Sequence, residues 1–448
     1  MRPYRRRVVL APTRAVGARA SSGPPARLVA LDVLRLVAAV AVVVYHFTAR
    51  RTSAWQGAQD VAVPDVVTRW ATYGALGPEL FFVISGFVIL MTAWGRTTAA
   101  VVASRIGRLY PSYWVAVLLT GALLLVVWPE GKAVTAGQVA VNLTMLQEVV
   151  GVDHVDGVYW TLWTELRFYL LVGLLVLAGV TRRRVLAVAL LWPPVAALVA
   201  QLGATDLAEL LIGDYAPFFG AGMALYLVHR DGHAAAPWLV VLTNTVLAVV
   251  LRTSPTVTGL GHITGLEPSR VGVAVAIGLC VALVALVAVI PMPGLDRSWL
   301  VASAALTYPL YLVHQYWGLW VISRLVGRVP AWVAVLAALV VSFVLAWAVH
   351  RLVEARYAPA LRRTAERALV RARDALLERV NAGPRALRAA AVGITAPSGA
   401  GVSRAATSSL APRTTARGGD EPVEEIVRTT RSARRRRAPG SASRPGAP

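Results

Sequence analysis

Cysteine and lysine are almost missing from this sequence: Cys280 is its one cysteine and Lys132 its one lysine among 45 basic residues. A single thiol excludes an internal disulfide, a thiolate metal cluster and a cysteine redox pair. Set in "VGVAVAIGLCVALVALVAVI", Cys280 reads as a small packing residue rather than a nucleophile. Charge is scarce too, at 15% of residues, where soluble domains average about 25%. Hydrophobic residues make up 57% and mean hydropathy is +0.61, more apolar surface than one water-soluble globule can hide. The composition points to an all-α, polytopic membrane bundle. What charge there is runs one way: the net charge is +22, nearly all of it from arginine.

A helix needs about 20 mainly apolar residues to cross the hydrocarbon core. By that rule the sequence predicts about ten spans, near 28–48, 74–94, 110–128, 159–180, 185–202, 208–228, 237–252, 270–290, 299–322 and 331–353. With the N-terminus inside, the inner loops before the tail hold 15 Arg and Lys and the outer loops 8. Positive loops stay inside, and an even number of spans then returns the Arg-rich tail to the same side. The expectation is a multi-pass protein of the plasma membrane with both termini cytoplasmic. Four regions follow: a basic disordered leader at 1–27, a membrane domain at 28–355, a basic amphipathic helix at 356–380, and a disordered Arg/Ala/Pro-rich tail at 381–448. The amphipathic segment "LRRTAERALVRARDALLERV" is of the kind that lies on an anionic inner leaflet. No folded or aromatic reader accompanies the basic tail, so no nucleic-acid partner is expected; the bilayer is. No internal repeat of 20–50 residues is visible.

Several ionisable residues sit where lipid would penalise them. In "LDVLRLVAAVAVVVYHF" the first span keeps Asp32, Arg35 and His46, each costing up to about 3 kcal/mol if it faced lipid. At about 100° per residue, the eleven steps from Arg35 to His46 leave them about 20° apart, with Asp32 within about 40°. All three therefore face the bundle interior, with His46 roughly 16.5 Å beyond Arg35 along the axis. Asp32 and Arg35, one turn apart, can pair. "GALGPELFFVISGFVIL" puts Glu79 at the start of the second span, with Ser85 and Gly86 suited to close helix packing. "VYWTLWTELRFYLLVGLL" places Glu165 in the outer half of the fourth span, at a depth like that of His46, among Trp160, Trp163 and Tyr169. "ASRIGRLYPSYW" sets Arg105 and Arg108 on one helical face at the cytoplasmic side, and guanidinium forks suit phosphate oxygens. "LTYPLYLVHQYWGLW" puts His314 and Gln315 near the middle of the ninth span.

Taken together these stretches resemble the acyltransferase-3 family of integral-membrane O-acyltransferases, over roughly residues 28–355. Asp32, Arg35 and His46 match its opening pattern, and "ELFFVISGF" matches a later one, with Glu79 replacing the usual acid. Arg105, Arg108 and Pro111 match an Arg-x-x-Arg-x-x-Pro element. Trp160, Thr161, Leu162, Glu165, Phe168 and Tyr169 match a Trp-Ser-Leu pattern in which Thr161 departs from serine. Tyr308, Pro309, Tyr311 and His314 match the last. The resemblance implies a stand-alone membrane enzyme that moves an acyl group, commonly acetyl, from cytoplasmic acyl-CoA. The acceptor is a hydroxyl of a cell-envelope carbohydrate, a lipid-linked glycan or a small secondary metabolite.

On this reading Arg35, Arg105 and Arg108 hold the acyl-CoA co-substrate, and no bound cofactor or metal is expected. His46 is the catalytic group, as general base on the hydroxyl or as a transient acyl carrier. Glu165 orients and charges its imidazole, or binds the acceptor. Asp32, Glu79, Trp160, Trp163, Tyr169 and His314 are assigned to substrate. A proton-coupled small-molecule transporter or exporter is the alternative, since it too needs charged groups along a path through a bundle.

Overall fold

The computed structural model describes residues 28–290, 292 and 297–394, the last of these from 379 onward as backbone. The predicted leader, and residues 395–448 of the predicted tail, lie outside the described residues. The chain divides into two units, 1–382 and 383–448. Among the described residues there is no strand.

Among the described residues, eleven longer helices build the fold, ten of them wholly within the first unit and the last beginning there. They are α1 (Val29–Val44), α2 (Gly77–Ala93), α3 (Thr98–Ala122), α4 (Trp160–Ala178), α5 (Arg182–Gln201) and α6 (Ala216–Asp231). After them come α7 (Ala235–Thr264), α8 (Arg270–Val289), α9 (Thr307–Leu325), α10 (Ala331–Val349) and α11 (Ala355–Ile394). Among the described residues, eight helices are long and apolar enough to span a membrane, α1 to α5, α7, α8 and α10. The two other segments expected to span fold as α6, of 16 residues, and α9, which carries Arg324, His314, Gln315 and several Tyr and Trp residues. These are among the most enclosed helices. In α6 every residue from Ala216 to Val228 is buried, mainly against α2 and α7. At Gly86 of α2 a Cβ would stand 2.2 Å from the Phe219 carbonyl oxygen, so the lack of a side chain sets how closely α2 and α6 approach. That is the packing role read for Gly86. Cys280, buried in α8 with its sulfur 3.9 Å from the Leu76 carbonyl oxygen, sits as a packing residue.

Several boundaries differ from expectation, each for a local reason. The predicted span at 208–228 is broken: a short helix, Thr205–Leu210, is followed by a turn through Ile212 at φ +59°, and α6 starts only at Ala216. The span at 299–322 breaks at Leu306, because Pro309 lacks an N–H and crowds the carbonyl four residues back. The short span at 237–252 runs on to Thr264, since Arg252 is neutralised inside the fold rather than ending the helix. Its guanidinium lies 3.9 Å from Glu79, 3.5 Å from Asp214 and over the Tyr215 ring. Finally, α11 passes the predicted end at 380 and continues to Ile394; "NAGPRALRAAAVGI" holds five alanines, the strongest helix former.

Candidate active site

The site is built on α1 and the helices that enclose it. In its first turns Asp32 and Arg35 pair at 3.6 Å, as their spacing predicts. The helix then widens into a single π-turn, Tyr45–Ala49, whose five residues are all buried. This turn carries His46. The carbonyls left at its end are satisfied from the following loop: Trp55 donates its indole N–H to Phe47 O at 3.0 Å, and the Gln59 amide donates to Thr48 O and Arg50 O. The loop thereby fixes the turn, and with it the imidazole.

Facing His46 is His314 of α9. Nδ1 of His46 lies 3.2 Å from Nε2 of His314 and 2.9 Å from Val42 O. Nδ1 of His314 in turn meets only carbonyls, Tyr311 O at 2.9 Å and Leu310 O at 3.2 Å. A nitrogen that faces only carbonyl oxygens must carry the proton, so His314 is the Nδ1–H tautomer and its Nε2 accepts. Nδ1 of His46 is then the donor between Val42 O and His314, which leaves Nε2 of His46 with the free lone pair. The hydrogen-bond network thus assigns a basic nitrogen at one atom. Both rings are buried, at 7% and 0% exposure, and pack edge to face with centroids 5.0 Å apart.

Nearer the start of α1 the bundle encloses a cavity of about 820 Å³, a volume usual for a small-molecule site. Asp32 and Arg35 line it from α1, Arg105 and Arg108 from α3, and Glu165 and Tyr169 from α4. The i, i+3 spacing of the two arginines therefore does put both on one wall. Arg105 reaches Thr92 at 3.3 Å and lies over the Tyr169 ring; Arg108 pairs with Glu354 at 3.0 Å and lies over Tyr308. The first turns of α11 close the same cavity through Ala358, Arg362 and Arg363.

The two halves meet at Tyr311. Its ring lines the cavity and packs 5.9 Å from the His314 ring, while its hydroxyl donates to Val158 O at 3.1 Å and accepts from Thr161 at 2.9 Å. His46 and His314 do not themselves line the cavity.

Five predicted site residues stand elsewhere than expected, His314 among them, since it was assigned to substrate and instead partners His46. Glu165 is not at the His46 imidazole; its Oε1 accepts from Ser85 at 2.7 Å, on the cavity side of Tyr311. The position beside His46 belongs to His314. Glu79 is buried against Arg252 and does not line the cavity. Trp160 packs on Phe82 and Tyr215, and Trp163 carries the Arg167 guanidinium on its ring, so neither offers a free face to the cavity. Arg167 itself is held by the Glu209 carbonyl.

Asp156 went unread in the sequence although "VDGVYW" adjoins a recognised motif. It lies in the loop before α4, next to Gly157, which faces the Gln315 amide that follows His314. Its Oδ1 accepts from the Val158 N–H at 3.2 Å, and its Oδ2 is buried without a hydrogen bond. Burial pushes its carboxyl up to about 7, although the Val158 amide, Lys132, Arg50 and the Tyr316 backbone pull the other way.

Fold and site together define a multi-pass membrane protein with a buried imidazole pair above an arginine-walled cavity. Comparison with known families gives the class its name. The family model described as an acyltransferase domain matches residues 28–351, well over half of the chain, and the chain belongs to this acyltransferase-3 family. It is a membrane acyltransferase, which requires an acyl donor, an acceptor and a lipid bilayer. No curated protein and no solved structure matches the chain.

Proposed function

We propose that the protein transfers an acyl group, commonly acetyl, from cytoplasmic acyl-CoA to a hydroxyl of a cell-envelope carbohydrate, a glycolipid or a small secondary metabolite. The observation that carries the reading is an imidazole pair with one free basic nitrogen, packed directly behind Tyr311, whose other side lines the arginine-walled cavity. In this reading the start of α1 faces the cytoplasm of a cell whose plasma membrane the bundle spans, in accord with the loop charge. The donor phosphates rest on Arg35, Arg105 and Arg108. The thin pantetheine arm runs along α1 towards Ser85 and Tyr311. Glu165, already oriented by Ser85, accepts a hydrogen bond from an amide of that arm, a role on the donor side rather than at His46.

The acceptor hydroxyl approaches from the opposite end, on the side of the loop that carries Asp156. Nε2 of His46 takes the hydroxyl proton as the oxygen attacks the thioester carbonyl. The C–S bond then breaks, and the imidazolium returns the proton to the departing thiolate, giving an ester and free CoA. Val42 O and His314 together hold Nδ1 of His46 in the donor form, so the basic atom faces the acceptor throughout. A small shift of the Tyr311 ring joins the two compartments and keeps the thioester from water until an acceptor is in place. Membership of an acyltransferase family favours transfer over the transporter reading of the same charges.

The test uses purified full-length protein, labelled acetyl-CoA and an envelope-glycan fraction as acceptor. Acceptor-dependent release of CoA thiol, lowered about a hundredfold or more in His46→Ala, is the expected result. Label transfer that survives His46→Ala undiminished, or no thiol release with any short acyl-CoA, overturns the reading.

A further inference from the structure

The family match ends at residue 351, but the cavity does not. Its remaining wall is the start of α11, a helix whose sequence pattern suits a lipid surface. Ala358, Arg362 and Glu366 recur every fourth residue along that helix and line the cavity, joined by Arg363 and by Glu354 at the end of the turn before it. The docking is made by Gly107, which lies between the two arginines of α3. A Cβ there would stand 2.7 Å from Arg362 Cβ and 2.9 Å from the Ala358 carbonyl oxygen, so only glycine lets α11 seat against α3. Arg105 and Arg108 are thus brought opposite Arg362 and Arg363 across one mouth.

The charges at this mouth are unequally satisfied. Arg35 has Asp32 and Arg108 has Glu354, itself also held by His350 at 3.2 Å. Among the described residues no carboxylate lies within 4 Å of Arg105, Arg362 or Arg363, although Glu366 is one turn from Arg362 on the same wall. Arg362 and Arg363 are exposed to the mouth rather than engaged in the protein. Three guanidinium groups without counter-ions, on two facing helices, form a site for a polyanion wide enough to span them. Guanidinium forks match phosphate oxygens in pairs.

We propose that α11 is part of the donor site: Arg362 and Arg363 bind the phosphates of the acyl-CoA nucleotide from the side opposite Arg105. The inference rests on acyl-CoA being the donor. It assigns to residues beyond the family match a role in donor affinity, with no part in the chemistry, and it makes the amphipathic helix a clamp on the nucleotide.

The experiment measures steady-state acyl transfer by the full-length protein with two donors, acetyl-CoA and acetyl-pantetheine, which lacks the nucleotide. In the double variant Arg362→Gln, Arg363→Gln the KM for acetyl-CoA rises about tenfold or more. Its kcat and its KM for acetyl-pantetheine stay unchanged, and Arg362→Lys, Arg363→Lys keeps most of the affinity. Arg367→Gln, Arg371→Gln, exposed on α11 but outside the cavity, serves as the control and leaves both donors unaffected. The thermal shift produced by CoA alone reports binding independently of turnover, and falls in the first variant only. An acetyl-CoA KM equal to that of the control, or an equal rise for both donors, overturns the proposal while leaving acyl-CoA as the donor. Absence of thiol release from acetyl-CoA by the unaltered protein overturns the donor reading, and this proposal with it.

Discussion

The two ends of α1 solve the same problem in opposite ways. Near its start, Asp32 and Arg35 keep their charges by pairing and by bordering an open cavity. Near its end, His46 is enclosed with a second imidazole and backbone carbonyls, an arrangement that satisfies hydrogen bonds without any formal charge. Burying an ion is costly unless it is paired or wet, whereas a neutral imidazole needs only donors and acceptors. One polar stripe of one helix therefore serves two tasks. Its charged half is suited to hold an anion, and its neutral half to take up a proton only when a substrate supplies it.

The largest expected effect tests the neutral half. His46→Ala lowers acyl transfer by about 10²–10⁴, with membrane expression and the acetyl-CoA thermal shift intact; thiol titration of released CoA measures it. A loss confined to donor binding would merge the two halves into one. His314→Ala comes next, with a fall in kcat of roughly tenfold to a hundredfold and no change in donor KM, since it removes one of the two acceptors that orient the His46 imidazole and leaves Val42 O as the other. Its pH–rate profile shifts relative to the unaltered enzyme, which a purely structural lesion does not produce.

The charged half is tested by Arg105→Gln, Arg108→Gln, for which the donor KM rises about tenfold while kcat at saturating donor is kept. The smallest effect concerns the loop beside the imidazole pair. Asp156 binds its proton more tightly folded, up to about 7, than an ordinary carboxyl does. Its contribution is complete below about pH 4 and declines as pH rises from there to about 7. Thermal unfolding in detergent across that range should show the decline, and Asp156→Asn should flatten it.

Much of this was legible in the sequence because membrane helices make charge conspicuous. Asp32, Arg35 and His46 stand out in an apolar run, and the turn angle of a helix is enough to put them on the bundle side. The pairing of Asp32 with Arg35, and the shared wall of Arg105 and Arg108, follow from i, i+3 spacing alone. What helical periodicity does not contain is the relative height of separate helices. Glu165 and His314 both lie on interior faces, and only the break of α9 before Pro309 and the π-turn of α1 decide which one meets His46. Arg252 looked like the end of a span, because a hydropathy window sees its charge but not Glu79 and Asp214. An amphipathic helix reads alike whether its apolar face lies on lipid or on protein; Gly107, in another helix, decides the matter for α11.

The most direct measurement is an electron cryo-microscopy structure of the full-length His46→Ala protein with acetyl-CoA. The account predicts nucleotide density at the mouth between α3 and α11, on Arg105 and Arg362, with the acyl thioester beside Tyr311. Nucleotide density at the opposite end of α1, next to the loop that carries Asp156, would contradict it.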